Sequence, residues 1–216
     1  MLLRIFKQNS PPAIIFIFFL MVLLWLRPFI DPVHPETVTV MPLYQLLFGA
    51  LQQRPFLSNL TSLAIYALLI ILILRLNLIH FLLEDRTYMP AIFFIMLAAT
   101  FSPALQLNPV LVSGPFLLGA LLMLIRGGEH RAEPLSLFNA SLILAAGSLF
   151  YLKILWFIPF LWITATIIRP LKWRGLLNPI LALGVPLLFA VTYYWVFRND
   201  LSLLFFSNEE TTGAMS

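Results

Sequence analysis

Two classes of residue are scarce in this chain of 216 amino acids. It contains no cysteine, which excludes disulfide bonds, thiol catalysis and cysteine-ligated metal sites. Charged residues make up only 10% of the sequence, whereas a soluble domain carries about 25%. Hydrophobic residues account for 61%, which is more apolar surface than a folded chain of this size can hide from water. The composition therefore predicts an integral membrane protein.

Motifs of soluble enzymes are also lacking. The sequence has no phosphate-binding loop, no dinucleotide fingerprint, no metalloprotease His-Glu-x-x-His and no nucleophile elbow. We accordingly expect no cofactor and no metal. The 13 Lys and Arg residues stand mostly at the ends of apolar runs, a pattern typical of membrane topology signals and not of nucleic-acid binding.

The apolar runs predict an all-α, polytopic transmembrane bundle of about seven spans, in one domain over residues 1–200. Each crossing of a hydrocarbon core about 30 Å thick requires roughly 20 apolar residues. The predicted spans are about 12–30, 59–79, 88–105, 109–125, 135–151, 154–168 and 177–197, and a polar tail follows at 201–216. The segment 135–168 fits either two spans or one re-entrant element with a single span, which would move the C-terminus to the cytoplasm.

Basic residues predict the orientation of this bundle. In the seven-span arrangement, nine Lys and Arg residues fall on the side of the N-terminus and four on the other side. Cytoplasmic loops carry the excess of Lys and Arg in membrane proteins. The N-terminus is therefore expected in the cytoplasm. The first span is expected to stay uncleaved, because no small-x-small cleavage site follows it.

An amphipathic segment follows the first span at 43–54. Apolar residues share one helical face and polar or small residues the other; these are Leu43, Tyr44, Leu47, Phe48 and Leu51 against Gln45, Gly49, Gln52 and Gln53. Such a pattern is typical of a helix lying flat on a membrane surface. A segment packed on the bundle would show the same pattern, and the two interpretations are equally favoured.

Three shorter features predict local packing. Ser58 and Asn59 are residue types that cap helices, so the second span is expected to begin beside them. The small residues at 145–148 permit close helix packing. The turn at 106–109 is so short that the spans on either side are expected to be antiparallel neighbours.

The most concentrated polar set lies in the first outer loop, where Arg27, Asp31, His34 and Glu36 fall within ten residues. A carboxylate can act as a general base, so Asp31 is the candidate base with His34 and Glu36 as helpers. The structural alternative is that Asp31 pairs with Arg27 or caps the turn before Pro32, and it is favoured because ion pairs of this kind are common.

Several short stretches together resemble an uncharacterised Bacteroidetes family of multi-pass inner-membrane proteins. They are Lys7-Gln8-Asn9-Ser10-Pro11, the turn from Ser102-Pro103 to Asn108-Pro109, Leu137-Phe138-Asn139-Ala140, Leu149-Phe150-Tyr151 and Ile168-Arg169-Pro170. The resemblance implies a location in the bacterial inner membrane and brings no established activity.

More distantly, the layout resembles the N-terminal module of the C-type membrane glycosyltransferases, which use polyprenyl-phosphate sugars. Those enzymes start inside, place an acidic residue in the first outer loop and follow it with an interfacial helix. The resemblance implies that Asp31 occupies the position of the catalytic carboxylate and that Arg27 or Lys153 lies near the substrate phosphate. The chain departs from these enzymes at 106–109, where it lacks the further acidic residues that they often carry.

Three functions remain after these observations. The missing acidic site favours a non-catalytic subunit or scaffold of an envelope complex, whose partners are membrane lipids and other envelope membrane proteins. The alternative is a glycosyltransferase-like protein that handles a polyprenyl-phosphate lipid, with Asp31 as base. A solute channel or carrier is less favoured, because such proteins usually hold ionisable residues at mid-bilayer depth and the predicted spans have none at their centres.

Overall fold

Helices form the regular structure of the residues that the computed structural model describes, which are 11–26, 42–52, 54–80, 88–100, 105–129, 136–168, 179–186, 188–189 and 191–192. No strand occurs in these ranges, so the all-α prediction is confirmed for this part of the chain. In chain order the helices are α1 (Pro11–Leu24), α2 (Pro42–Gln52), α3 (Pro55–His80), α4 (Met89–Thr100), α5 (Pro109–Glu129), α6 (Ser136–Ser148), a 3-10 helix (Leu152–Phe157) and α7 (Ile158–Ile168). Residues 179–186 are also helical, and the predicted tail at 201–216 lies outside the described residues.

Two helices are long and apolar enough to cross a membrane. They are Pro55–Asn77 within α3 and Pro109–Gly127 within α5. Only 33% and 39% of the residues in their apolar windows are buried inside the chain. The core helix of a water-soluble domain would bury most of such a window, so these helices fit an apolar solvent better than water.

A first core joins α1, α3 and α4. α1 buries Ile17 and Met21, and Trp25 directly after the helix continues their spacing of four residues, so the three side chains share one face. The Trp25 ring meets the ring of Tyr66 edge-on, with the centroids 4.2 Å apart. Ile95 of α4 belongs to the same cluster, and so does Leu111 near the start of α5.

A second core joins α5, α6 and α7. Its buried residues include alanines and leucines of all three helices: Ala120 and Leu124 of α5, Ala140 and Leu144 of α6, and Leu161 and Ala165 of α7. The predicted close packing at 145–148 is confirmed: Ala145 is fully buried, and a Cβ added to Gly147 would lie 2.8 Å from the Cβ of Phe116. Small residues thus let α6 approach α5 closely.

The start of α3 differs from the prediction. α3 begins at Pro55 and not beside Ser58 and Asn59. The Ser58 N–H donates to the Arg54 carbonyl at 3.0 Å, so Arg54 supplies the first acceptor of the helix. Proline is well suited to the first helical position, because the N–H that it lacks would have no partner within the helix.

Among the described residues, the predicted pairing of the helices on either side of the 106–109 turn is not one of the main helix contacts. α4 packs mainly against α3 and α1, whereas α5 packs mainly against α3, α6 and α7. The Ser62 hydroxyl of α3 donates a hydrogen bond to the carbonyl of Leu105, so the turn is held against α3. α3 therefore is the shared neighbour of the two helices.

The segment around the 3-10 helix keeps both of its interpretations. α6 has 13 residues and is about 20 Å long at ~1.5 Å per residue, which is shorter than a hydrocarbon core of about 30 Å. α7 has 11 residues and follows the 3-10 helix directly. The count of seven spans, including the choice between two spans and a re-entrant element at 135–168, stays a prediction.

Candidate functional site

Of the five residues that the sequence predicts for a site, the structure describes one. Arg27, Asp31, His34 and Glu36 lie outside the described residues. Lys153 is exposed at the second position of the 3-10 helix. The described part of the site is therefore the surface around Lys153, together with α2, whose Phe48 ring lies near that of Phe150.

α2 is held to the bundle by Tyr44. Its side chain is completely buried, and its hydroxyl donates a hydrogen bond of 3.0 Å to the carbonyl of Leu107. A buried carbonyl without a donor would cost about 1–3 kcal/mol, so this bond supports the turn as well as the helix. Tyr44, Phe48, Leu107, Val112 and Phe150 form what we call the docking cluster.

The turn at 105–108 satisfies its own backbone through side chains. The Leu105 and Leu107 carbonyls accept from the hydroxyls of Ser62 and Tyr44. Asn108 caps α5, because its Oδ1 accepts from the Leu111 N–H at 2.7 Å and Pro109 follows it as the first helical residue. Backbone that enters an apolar environment must find partners within the protein, and this turn meets that requirement at these three positions.

Aromatic rings connect α2 to the end of α6. Phe48 of α2 lies with its ring centroid 6.3 Å from that of Phe150, and Phe150 stacks on Phe116 of α5 at 5.4 Å. The Phe150 N–H donates to the Gly147 carbonyl at 3.1 Å, so the chain turns there immediately after α6. Because of this turn, the 3-10 helix and Lys153 lie at the same end of the bundle as α2.

The 3-10 helix presents a cation and an indole on one face. A 3-10 helix has three residues per turn, so Lys153 and Trp156 lie one above the other, about 6 Å apart along the axis. Both are exposed, and Trp156 keeps 85% of its surface accessible. The sequence singled out Lys153 but missed Trp156, although a Trp one turn from a Lys is the residue pair expected where a helix meets a membrane surface.

The structure confirms that α2 is a helix, but only part of its predicted apolar face packs on the bundle. Tyr44 is buried and Leu43 and Phe48 are half-buried against the bundle, but Leu46 is 62% and Leu47 49% exposed. α2 thus packs on the bundle along a narrow edge and leaves leucines for an apolar surrounding. The two interpretations of this segment are compatible with each other.

In the described part of this surface, the polar groups are the hydroxyls of Tyr44 and Ser62, the amide of Asn108 and the positive charge of Lys153. Among the described residues, no group of three or more His, Asp or Glu side chains comes together in a way that would hold a metal ion. The hydroxyls of Tyr44 and Ser62 are engaged with backbone carbonyls. The arrangement can bind an anion through Lys153 and can hold helices in place.

Comparisons with known proteins give no family for the chain. No protein family, no curated protein and no solved structure matches it, so the resemblances drawn from its sequence stay predictions.

Proposed function

We propose that this chain is a multi-pass protein of a bacterial inner membrane, with about seven spans and a cytoplasmic N-terminus, and that it serves as a non-catalytic subunit or scaffold of an envelope complex. The membrane location is supported by exposed apolar side chains on several described helices, among them Ile15, Phe19, Phe93, Leu97, Ile163 and Ile167. Soluble monomers rarely expose contiguous apolar patches beyond a few hundred Å². Lipid chains or membrane partners are the surroundings that these side chains require.

The observation that supports the subunit function is that the buried polar groups make structural hydrogen bonds. Tyr44 and Ser62 donate to the carbonyls of one turn, and Asn108 caps the helix that leaves this turn. These groups hold α2, α3 and α5 together. In the described part of the site, polar chemistry therefore supports a rigid bundle whose outer surfaces are available to other membrane components.

Cell-based complementation tests the subunit function. We expect Asp31→Asn to restore the growth or envelope integrity of a deletion strain fully. Gly147→Val is expected to fail, because the larger side chain would overlap Phe116 of α5. Protein abundance in the membrane fraction is measured for both variants. Failure of Asp31→Asn at normal abundance would contradict the proposal.

A second measurement concerns the complex itself. The tagged protein, extracted in a mild detergent, is expected to run with partners in fixed stoichiometry, at a protein mass well above the 24.7 kDa of one chain. Light scattering coupled to size exclusion separates protein mass from detergent. A protein mass of one chain, unchanged after gentle cross-linking in cells, would count against a subunit.

Cysteine labelling tests the topology, since the chain has no cysteine of its own. In intact spheroplasts an impermeant maleimide is expected to label Lys153→Cys and to leave Arg126→Cys unlabelled until the membrane is opened. Both native side chains are exposed in the structure, so accessibility within the protein is matched. The reverse labelling pattern would invert the proposed orientation.

The glycosyltransferase-like function is kept as the alternative because of α2. A helix after the first apolar helix, docked on the bundle and leaving Leu46 and Leu47 exposed, agrees with the layout of enzymes that handle polyprenyl-linked sugars. In that function Asp31 is the base and Arg27 or Lys153 lies near the lipid phosphate. It predicts that Asp31→Asn abolishes activity without loss of protein, the opposite of the subunit prediction.

A further inference from the structure

The outer face of α7 continues the surface that begins at Lys153. Phe160, Ile163 and Ile167 are 56%, 57% and 79% exposed, and their spacing of three and four residues places them on one side of the helix. The other side carries Leu161 and Ala165, which are buried in the second core. α7 therefore has one face inside the protein and one apolar face outside it.

We propose that Lys153, Trp156, Phe160, Ile163 and Ile167 form a binding surface for one anionic phospholipid, with the headgroup phosphate at Lys153 and an acyl chain along the stripe. The surface, which we call the α7 lipid stripe, needs only that the bundle lies in a bilayer. It does not depend on whether the protein is a subunit or an enzyme.

Dimensions support a lipid as the occupant. From Trp156 to Ile167 the chain advances about 17 Å, at ~2.0 Å per residue in the 3-10 helix and ~1.5 Å in α7. One leaflet contributes about half of a hydrocarbon core of roughly 30 Å. The apolar part of the stripe thus matches the depth of a single leaflet, and its charged residue stands at the end where a headgroup would be.

The order of side chains along the stripe matches the order of groups in a phospholipid. Lys153 offers a positive charge for the phosphate. Trp156 lies next and has the amphipathic ring that favours the boundary between headgroups and acyl chains. Phe160, Ile163 and Ile167 follow with purely apolar surface.

The threonine hydroxyls of α7 that lie beside the stripe are hydrogen-bonded to their own helix. Thr164 and Thr166 donate their hydroxyls to the carbonyls of Phe160 and Ile163, at 2.9 and 2.8 Å. Hydroxyls bonded in this way to their own helix do not compete for the lipid. The charge on Lys153 is therefore what selects the headgroup.

Native mass spectrometry of the purified protein tests the proposal, with phosphatidylglycerol as the probe and phosphatidylcholine for comparison. The wild type is expected to retain one phosphatidylglycerol in preference to phosphatidylcholine. Lys153→Gln is expected to lower that retention about fivefold, the factor that one basic residue near an anionic headgroup contributes. Lys153→Arg keeps the charge and should keep the lipid.

Arg126→Gln is the matched control, because it removes an exposed positive charge from α5, far along the chain from the stripe. It should retain the lipid as the wild type does. Thermal stability in detergent gives a second readout: phosphatidylglycerol should raise the melting temperature of the wild type and of Arg126→Gln but not that of Lys153→Gln.

Three results would overturn the assignment. One is equal retention of phosphatidylglycerol by the wild type and Lys153→Gln. Another is an equal loss of retained phosphatidylglycerol in Lys153→Gln and in the control Arg126→Gln. The third is a wild type that retains no lipid and forms a dimer which Trp156→Ala dissociates. That result would make a second copy of the chain the occupant of the stripe.

Discussion

Replacing Gly147 by alanine tests the contact between α5 and α6 most directly. The added Cβ would lie 2.8 Å from the Cβ of Phe116 and 3.2 Å from the Cδ1 of Ile154. Carbon atoms in favourable contact are about 3.5–4.0 Å apart. The Ile154 methyl is the end of a flexible side chain and can move, but the Phe116 Cβ is attached to the backbone of α5. The two helices must therefore separate.

The expected cost follows from two opposing effects. Overpacking of a well-packed core typically costs about 1–3 kcal/mol of the free energy of unfolding. Alanine is favoured over glycine within a helix by roughly 1 kcal/mol, which offsets part of this cost. Gly147→Ala is thus expected to lose up to about 2 kcal/mol, in accord with these two ranges.

Gly49→Ala in α2 is the matched control, because a Cβ added there meets no atom within 4 Å. Gly49→Ala gains the preference of alanine over glycine in a helix but has no steric overlap. The free energies of unfolding of the two variants should therefore differ by about 1–3 kcal/mol. The assay is the melting temperature of the purified protein in detergent, where each kcal/mol corresponds to ~2–4 °C for a chain of this size. Equal melting temperatures for the two variants would refute the close approach of α6 to α5.

Three further substitutions test the turn at 105–108, each by the melting temperature in the same detergent. Tyr44→Phe leaves the buried Leu107 carbonyl without its donor and should cost about 1–3 kcal/mol, so an unchanged value would mean that the hydrogen bond is absent. Ser62→Ala should cost a similar amount, whereas its neighbour Thr61→Val, whose hydroxyl bonds to its own helix, should be near neutral; equal effects would contradict the bond to the turn. Asn108→Ala should lose about 1 kcal/mol of capping and Asn108→Asp much less, and the cap assignment fails if the two match.

The positions of the helices could be predicted largely from the sequence, because each apolar run is bounded by residues that start or end helices. The start of α5 is encoded by Asn108 and Pro109, a capping residue followed by the residue best suited to the first turn. The start of α3 was mispredicted at Ser58 and Asn59. Both residues are of capping type, but the proline at position 55 begins the helix earlier.

The buried and exposed faces of each helix were harder to predict than the positions of the helices, for a physical reason. In water, the apolar side of an amphipathic helix marks the protein core. In a membrane, the core and the lipid are similarly apolar, so Leu47 and Phe48 of α2 look alike in the sequence although the first is exposed and the second packs on Phe150. For the same reason the sequence did not single out Trp156, which matters because it lies one turn after Lys153 in the 3-10 helix.

The candidate site was predictable only in part, because its contacts join distant parts of the chain. Lys153 was identified as a cation near the end of an apolar run. Nothing local in the sequence indicates that Tyr44 reaches the Leu107 carbonyl, 63 residues away. Such contacts depend on how the helices pack against each other, and the neighbourhood of α3, α4 and α5 shows that a short turn does not fix this packing.

The docking of α2 has a consequence for the order of assembly during synthesis. Phe48 packs on Phe150, which the ribosome adds about 100 residues later. At ~5–20 residues per second, α2 exists for about 5–20 s before its full binding surface has been made. During that interval α2 has only its contacts with α3 and, once residue 107 has been added, the hydrogen bond from Tyr44. The contact of Phe48 with Phe150 is therefore the last of these contacts to form, after α6 has been synthesised.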